Sequence, residues 1–145
     1  MKGPRVMDVK YTAHAVSSGG GRDGVVRSDD GVLDQVVKMP PALGGPGGGT
    51  NPEQLFAAAY STCFHSALRL VGRTEKIKIS DDATVEAAIG IGPDDTSFAI
   101  TATLTATLPG LDQDQADDLV AKAHQVCPYS KATRGNVEVT LIAKV

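Results

Sequence analysis

The sequence has few residues of several kinds, and each scarcity excludes a class of protein. It contains two cysteines and no tryptophan, and aromatic residues make up 4% of the chain. Two cysteines are too few for a disulfide scaffold. The net charge is −3, and the 14 lysines and arginines are scattered without a basic run. The composition therefore gives no electrostatic reason to bind nucleic acid or an anionic membrane.

Long apolar runs are scarce as well. No run approaches the length that spans a membrane, and the start, MKGPRVMDVK, lacks the apolar stretch of a secretory signal peptide. We therefore expect a cytoplasmic protein with no membrane partner. Of the 145 residues, 41% are hydrophobic and 21% are charged. Those values are typical of a soluble globular protein, and we expect one domain over residues 1–145.

The first half of the sequence predicts a strand meander followed by a long helix. The predicted strands cover residues 8–17, 25–28 and 32–39. A loop rich in glycine and proline follows at 40–52. Apolar pairs then recur every four residues from Leu55 to Val71, which predicts an amphipathic helix. Pro52 suits the first turn of that helix, and we expect it to end at Arg73.

The second half predicts a hairpin, a second helix and a last strand. The predicted strands cover residues 84–91, 97–108 and 136–144. Asp112 and Gln115 have the spacing of a capping box, so a helix should begin there and stop at Pro128. The resulting order is β-β-β-α-β-β-α-β. Because single strands and helices do not alternate, we predict an α+β fold with antiparallel sheets.

Two patterns are similar to ligand-binding motifs. The glycines of GGGRDG at 19–24 fit G-x-G-x-x-G, but a dinucleotide site needs a helix directly afterwards, and here we predict a hairpin. Two cysteines and two histidines could form a zinc ligand set: Cys63, His65, His124 and Cys127. Residues two apart on a helix point about 200° away from each other, so Cys63 and His65 cannot chelate together. We expect both histidines to be partly exposed helix residues.

Four further residues have structural and functional interpretations that the sequence alone leaves open. Glu53 lies three residues after Thr50, which is capping-box spacing, and Arg22 in its glycine-rich turn is commonly just a solvated charge. Cys63 on an apolar helix face is most often a core residue. Cys127 lies beside Pro128 at the end of the second helix. Only the fold can bring the two thiols together.

Several stretches of this chain are matched in a known family. They are GGRDG at 20–24, SDDGVLD at 28–34, GGTNPEQLFAAAYSTCF at 48–64, LPGLDQDQA at 108–116 and AHQVCPYSKATRGNVEVTL at 123–141. In these stretches the chain resembles the organic hydroperoxide resistance (Ohr) branch of the OsmC family. The pairing of NPEQLF…C with VCPYS is the specific part. One departure is that Gln-Gly is expected where His65 and Ser66 stand.

The resemblance implies a thiol-dependent peroxidase that reduces organic hydroperoxides, including lipid-derived ones. Cys63 would be the peroxidatic thiol and Cys127 the resolving thiol, with Arg22 and Glu53 as the polar pair that activates Cys63. A dithiol donor, favoured to be a lipoylated protein, would reduce the resulting disulfide. The resemblance implies no metal or tightly bound cofactor. It also implies an intertwined homodimer with its sites at the subunit interface.

A substrate pocket and a composite site follow as further expectations. An apolar pocket would favour bulky alkyl peroxides over hydrogen peroxide, and its expected residues are Leu55, Phe56, Tyr60 and Phe64. Glu53 and Cys63 are ten residues apart, roughly 15 Å along a continuous helix. We therefore expect Glu53 of one subunit to serve Cys63 of the other.

Three alternatives stay open at this point. The chain could belong to the OsmC branch proper. The same cysteine pair could form a non-enzymatic redox sensor, in which the disulfide only switches a conformation. A structural zinc module is the third. Catalytic turnover of an organic peroxide with a dithiol separates the peroxidase from the sensor, and a metal analysis tests for zinc.

Overall fold

The computed structural model describes residues 7–145, which form two compact units that divide between Asn51 and Pro52. The first unit is an antiparallel meander with the strand order β1-β2-β3. Its strands are β1 (Ala15–Gly19), β2 (Gly24–Ser28) and β3 (Asp34–Val37). A short 3-10 turn, Pro41–Leu43, lies in the loop after β3. Our expectation of a single domain stays a prediction.

The glycine pattern at 19–24 builds the β1–β2 hairpin. Gly19 and Gly21 have φ of 83° and 75°, in the left-handed region that side chains with a Cβ rarely adopt. A Cβ on Gly24 would lie 2.1 Å from the carbonyl oxygen of Ser18. A strand follows these glycines, not the helix that a dinucleotide motif requires.

Two of the predicted strands in this unit are too long. The first was predicted over 8–17, but pairing with β2 begins only where Ala15 meets Ser28. Residues before Ala15 have no partner in β2, because the chain turns directly after Ser28. β3 is likewise shorter than the predicted 32–39, since its pairing with β2 runs from Asp34 to Val37.

The second unit, Pro52–Val145, contains three helices and a three-stranded sheet of order β4-β5-β6. Its elements are α1 (Pro52–Glu75), β4 (Thr84–Pro93), β5 (Phe98–Thr107), α2 (Gln113–Val126), α3 (Pro128–Thr133) and β6 (Val139–Lys144). α1 begins at the predicted residue and ends two residues beyond Arg73. The predicted α+β class is confirmed.

The sheet of this unit is mixed, which corrects the prediction of antiparallel sheets. β4 and β5 form an antiparallel hairpin, but β6 lies parallel to β5. α2 and α3 connect β5 to β6, and a helical crossover returns the chain to the end of the sheet where β5 began. Periodicity identifies these strands but carries no information on their direction.

The end of α2 differs from the prediction. The capping box at its start is confirmed: the Asp112 carboxylate accepts a hydrogen bond from the Gln115 backbone N–H at 2.8 Å, and the Gln115 side chain accepts one in return. Pro128 ends α2, but it also begins α3, a helix that the sequence pattern did not predict. Proline suits a first helical position because its missing N–H is not needed there. Cys127 is therefore the joint between two helices.

The core of the second unit lies between its helices and one face of its sheet. α1 packs against β4 and α2, and α2 packs against β6. In β5 the alternate residues Ala102, Leu104 and Ala106 are buried, while the threonines between them lie on the opposite face. None of the helices within residues 7–145 is long and apolar enough to cross a membrane.

Candidate thiol site

The fold brings the two cysteines together. Cys63 lies in the middle of α1 and is half-buried, whereas Cys127 at the α2–α3 joint is fully buried. Both are free thiols, and Cys127 donates a hydrogen bond from its sulfur to Cys63 Sγ at 3.5 Å. A disulfide bond measures about 2.05 Å, so the sulfurs need to approach by only about 1.5 Å to form one. The site can therefore close a disulfide with a small local movement.

The surroundings of Cys63 favour its protonated form. Burial raises the pKa of the Cys63 thiol above its ordinary value, and the contact with Cys127 raises it further. A hydrogen bond from the backbone N–H of Tyr129 acts on this pKa in the opposite direction. Because a thiolate is the nucleophilic form, a chemically active Cys63 needs a further stabilising group such as a cation.

Glu53 and Arg22 lie in different units. Glu53 is in the first turn of α1, and the helix is unbroken from there to Cys63. Their separation along the axis is therefore roughly 15 Å, as expected for a continuous helix. Arg22 is half-buried in the β1–β2 turn of the first unit. The joint action of these two side chains on Cys63 stays a prediction.

An open cavity of about 620 Å³ lies beside Cys63. Most of its lining is apolar, and it is formed by one side of α1 together with the α2–α3 joint. The lining includes Ala59, Thr62, Ser66, Leu70, Val126 and Tyr129. A ligand in this cavity would meet small and apolar groups next to the sulfur of Cys63.

The four residues predicted to form the substrate pocket do not line this cavity. Tyr60 and Phe64 are fully buried in the core, because positions four apart share the helix face that packs inward. Leu55 and Phe56 are half-buried, and the Phe56 ring lies 6.2 Å from the ring of Tyr129. The pocket prediction is wrong for Tyr60 and Phe64, since an apolar helical stripe marks the core first.

The sequence analysis did not predict a polar network, largely buried, that joins α1 to the helices on both sides of Cys127. The Tyr60 hydroxyl lies 2.9 Å from Ser130 Oγ and 3.2 Å from Thr133 Oγ1. Ser130 Oγ in turn lies 2.8 Å from His124 Nδ1. The signal available in the sequence was one tyrosine within an otherwise apolar stripe, because a buried hydroxyl needs a partner.

The two histidines of the site region have pKa values below the ordinary one. Burial is the main cause for both, and a nearby arginine adds to it: Arg69 for His65 and Arg134 for His124. His65 Nε2 is buried and, among the residues that the structure describes, has no hydrogen-bond partner. No cluster of three or more histidine, cysteine or acidic side chains within residues 7–145 is arranged to hold a metal ion.

Comparison with known proteins gives consistent matches over most of the chain. The family model described as OsmC-like protein matches residues 45–142. An organic hydroperoxide resistance protein of Xanthomonas axonopodis pv. citri is 48% identical over 134 residues, which cover 92% of this chain and 94% of the relative. Among solved structures, an organic hydroperoxide resistance protein OsmC from Legionella pneumophila has a TM-score of 0.89 and 45% identity. The match covers 95% of this chain and 100% of the Legionella chain. An organic hydroperoxide resistance protein from Elizabethkingia anophelis has a TM-score of 0.88 and 49% identity, with coverage of 95% and 99%.

Proposed function

This chain belongs to the OsmC-like protein family, beside relatives named organic hydroperoxide resistance proteins, and on that premise we propose that it is a thiol-dependent peroxidase. Its substrates are organic hydroperoxides, which it reduces to alcohols. The observation that carries the proposal is the contact of 3.5 Å between the sulfurs of Cys63 and Cys127 beside a largely apolar cavity. The pair supplies the two electrons that the reaction consumes.

Cys63 carries out the peroxide step. Its thiolate attacks one peroxide oxygen, the O–O bond breaks, and the other oxygen leaves as an alkoxide that takes up a proton to become the alcohol. The sulfur is oxidised by two electrons and holds the transferred oxygen as a sulfenic acid. Half-exposure at the cavity makes Cys63, and not the fully buried Cys127, the thiol that a peroxide can reach.

Cys127 carries out the resolving step. Its sulfur attacks the sulfur of the Cys63 sulfenic acid, the S–O bond breaks, and the hydroxyl leaves as water with the Cys127 proton. A disulfide remains. Thiol–disulfide exchange with a reduced dithiol, for which a lipoylated protein is the expected donor, restores both thiols and leaves the donor oxidised.

Arg22 and Glu53 are the proposed activating pair. Burial raises the pKa of Cys63, so a permanently charged guanidinium near the sulfur would stabilise the thiolate. A carboxylate can hold a guanidinium by two parallel hydrogen bonds and so orient it. Support for these roles comes from the matched motifs GRDG and NPEQ and from the raised pKa of the thiol.

Apolar contact sets the preference among peroxides. Each buried methylene contributes about 0.8 kcal/mol, and hydrogen peroxide has no apolar group to bury. A cumyl or tert-butyl group can occupy the cavity beside Cys63. We therefore expect kcat/KM for cumene hydroperoxide to exceed that for hydrogen peroxide by a large factor.

Steady-state turnover tests the proposed function. Cumene hydroperoxide and hydrogen peroxide are each assayed with dihydrolipoamide and with thioredoxin as donor. We expect Cys63→Ser to abolish turnover, whereas Cys127→Ser should reduce one peroxide per site and then stall as a sulfenic acid that monothiols can react with. Full multi-turnover activity of Cys63→Ser would contradict the assignment. A wild-type protein that reacts once and stops with every donor would instead indicate a redox sensor.

A further inference from the structure

The α2–α3 joint carries polar side chains on both sides of Cys127. His124 lies three residues before it and Ser130 three residues after it, and their side chains meet at 2.8 Å between Nδ1 and Oγ. This contact bridges the bend at which Cys127 sits. His124 belongs to α2 and Ser130 to α3. Tyr60, which lies on α1, contacts Ser130 and so connects a third helix to this pair. Ser130 and Tyr60 are fully buried, so water does not substitute for these contacts.

Counting the hydroxyl hydrogens determines which group donates in each hydrogen bond of this network. The Thr133 hydroxyl donates to the carbonyl oxygen of Ser130, which can only accept. Since each hydroxyl has a single hydrogen, Tyr60 must donate to Thr133, and Ser130 must then donate to Tyr60. The remaining contact leaves Ser130 Oγ as acceptor, so His124 must donate from Nδ1. The hydrogens of the three hydroxyl groups and of His124 Nδ1 are thus each used in one hydrogen bond.

The direction of these hydrogen bonds determines the tautomer of His124. His124 carries its proton on Nδ1 when neutral and keeps it there when charged, so the bond to Ser130 survives protonation. Burial lowers the pKa of His124, and Arg134, which donates from Nη2 to the backbone carbonyl of His124 at 2.6 Å, lowers it further. The network is therefore a fixed structural link and not a proton switch.

We propose that the four-residue network His124–Ser130–Tyr60–Thr133 positions the thiol of Cys127 against Cys63. Tyr60 lies three residues before Cys63 on the same helix, so the network ties the Cys63 segment to both sides of Cys127. Holding two reacting groups together in the reduced state raises their effective concentration. The resolving role of Cys127 rests on the proposed function, but the positioning itself does not.

A redox equilibrium measures this effect without any peroxide. The fraction of Cys63–Cys127 disulfide is followed in graded ratios of reduced and oxidised dithiothreitol, which yields the effective concentration of the thiol pair. Tyr60→Phe and Ser130→Ala each break the chain of donors at a buried position. We expect each to lower the effective concentration roughly tenfold or more.

Two substitutions of His124 separate positioning from general packing. The amide nitrogen of asparagine occupies nearly the place of the imidazole Nδ1, whereas that of glutamine reaches farther out, near the place of Nε2. His124→Asn should therefore keep most of the wild-type effective concentration, and His124→Gln should lose it as Ser130→Ala does. Equal losses in both variants would show that a donor at the Nδ1 position of His124 does not position Cys127, and would overturn the place of His124 in the network.

Stability controls complete the experiment. Tyr11→Phe removes a hydroxyl from a tyrosine that is 81% exposed and should leave the equilibrium unchanged. Each variant is unfolded in urea, and the redox equilibrium is measured where it is fully folded. Effective concentrations within about twofold of wild type in folded Tyr60→Phe and Ser130→Ala would overturn the proposal. A wild type that reduces no peroxide would refute the proposed function and leave this measurement valid.

Discussion

Complementation between two inactive variants tests whether the site is shared between subunits. α1 is continuous from Pro52 to Glu75, so Glu53 and Cys63 of one chain are separated by roughly 15 Å along the axis. Ten steps of about 100° also place their side chains about 80° apart around it. Neither Glu53 nor an arginine held by it can then easily reach Cys63 of the same chain. We therefore predict a homodimer in which Glu53 of one subunit serves Cys63 of the other.

The expected recovery follows from counting sites. If Cys63→Ser and Glu53→Ala subunits are mixed in equal amounts and exchange fully, about half of the dimers contain one of each. In such a dimer one site combines an intact Cys63 with an intact Glu53, and the other lacks both. Roughly a quarter of the wild-type number of sites is therefore restored. If Glu53 acted within its own chain, no intact site would form.

The assay is turnover of cumene hydroperoxide after the two variants have been mixed under conditions that allow subunit exchange. Native mass spectrometry of tagged subunits measures the fraction of mixed dimers. Activity should rise in proportion to that fraction, above the summed residual activities of the two parents. Mixed dimers at the statistical fraction without any gain in activity would refute the geometric argument and assign Glu53 to its own chain.

Three further predictions concern charge, pH and packing. Arg22→Lys should shift the pH midpoint of Cys63 alkylation upward and slow sulfenic acid formation, because lysine loses the planar fork; an unchanged alkylation profile would contradict this. The free energy of unfolding in urea should fall as the pH drops below about 6.5. The pKa values of His65 and His124 are lowered in the folded state, so the unfolded chain binds protons first as the pH falls. A variant with both His65→Asn and His124→Asn should therefore show a smaller fall in the free energy of unfolding. Phe64→Ala should lower the free energy of unfolding by about 3–5 kcal/mol, and a change in KM alone would argue against its place in the core.

The sequence by itself determined where two helices of the second unit begin. A four-residue apolar period identified α1, and its start at Pro52 is confirmed. The spacing of Asp112 and Gln115 predicted a capping box that the structure contains. These features depend on residues within one or two helical turns, so neighbouring positions carry the whole signal. The motifs NPEQLF and VCPYS are equally short, and the family they indicated is confirmed by the family match.

Tertiary structure decided what lies against each element. A helical period shows that Tyr60 and Phe64 lie on one face of α1, but only packing shows that this face is core and that the cavity opens on another side. The approach of Cys63 and Cys127 to 3.5 Å spans 64 residues of sequence. The parallel placement of β6 likewise depends on the crossover through α2 and α3. Contacts between distant segments arise from how whole elements pack, because no short stretch of sequence contains both partners.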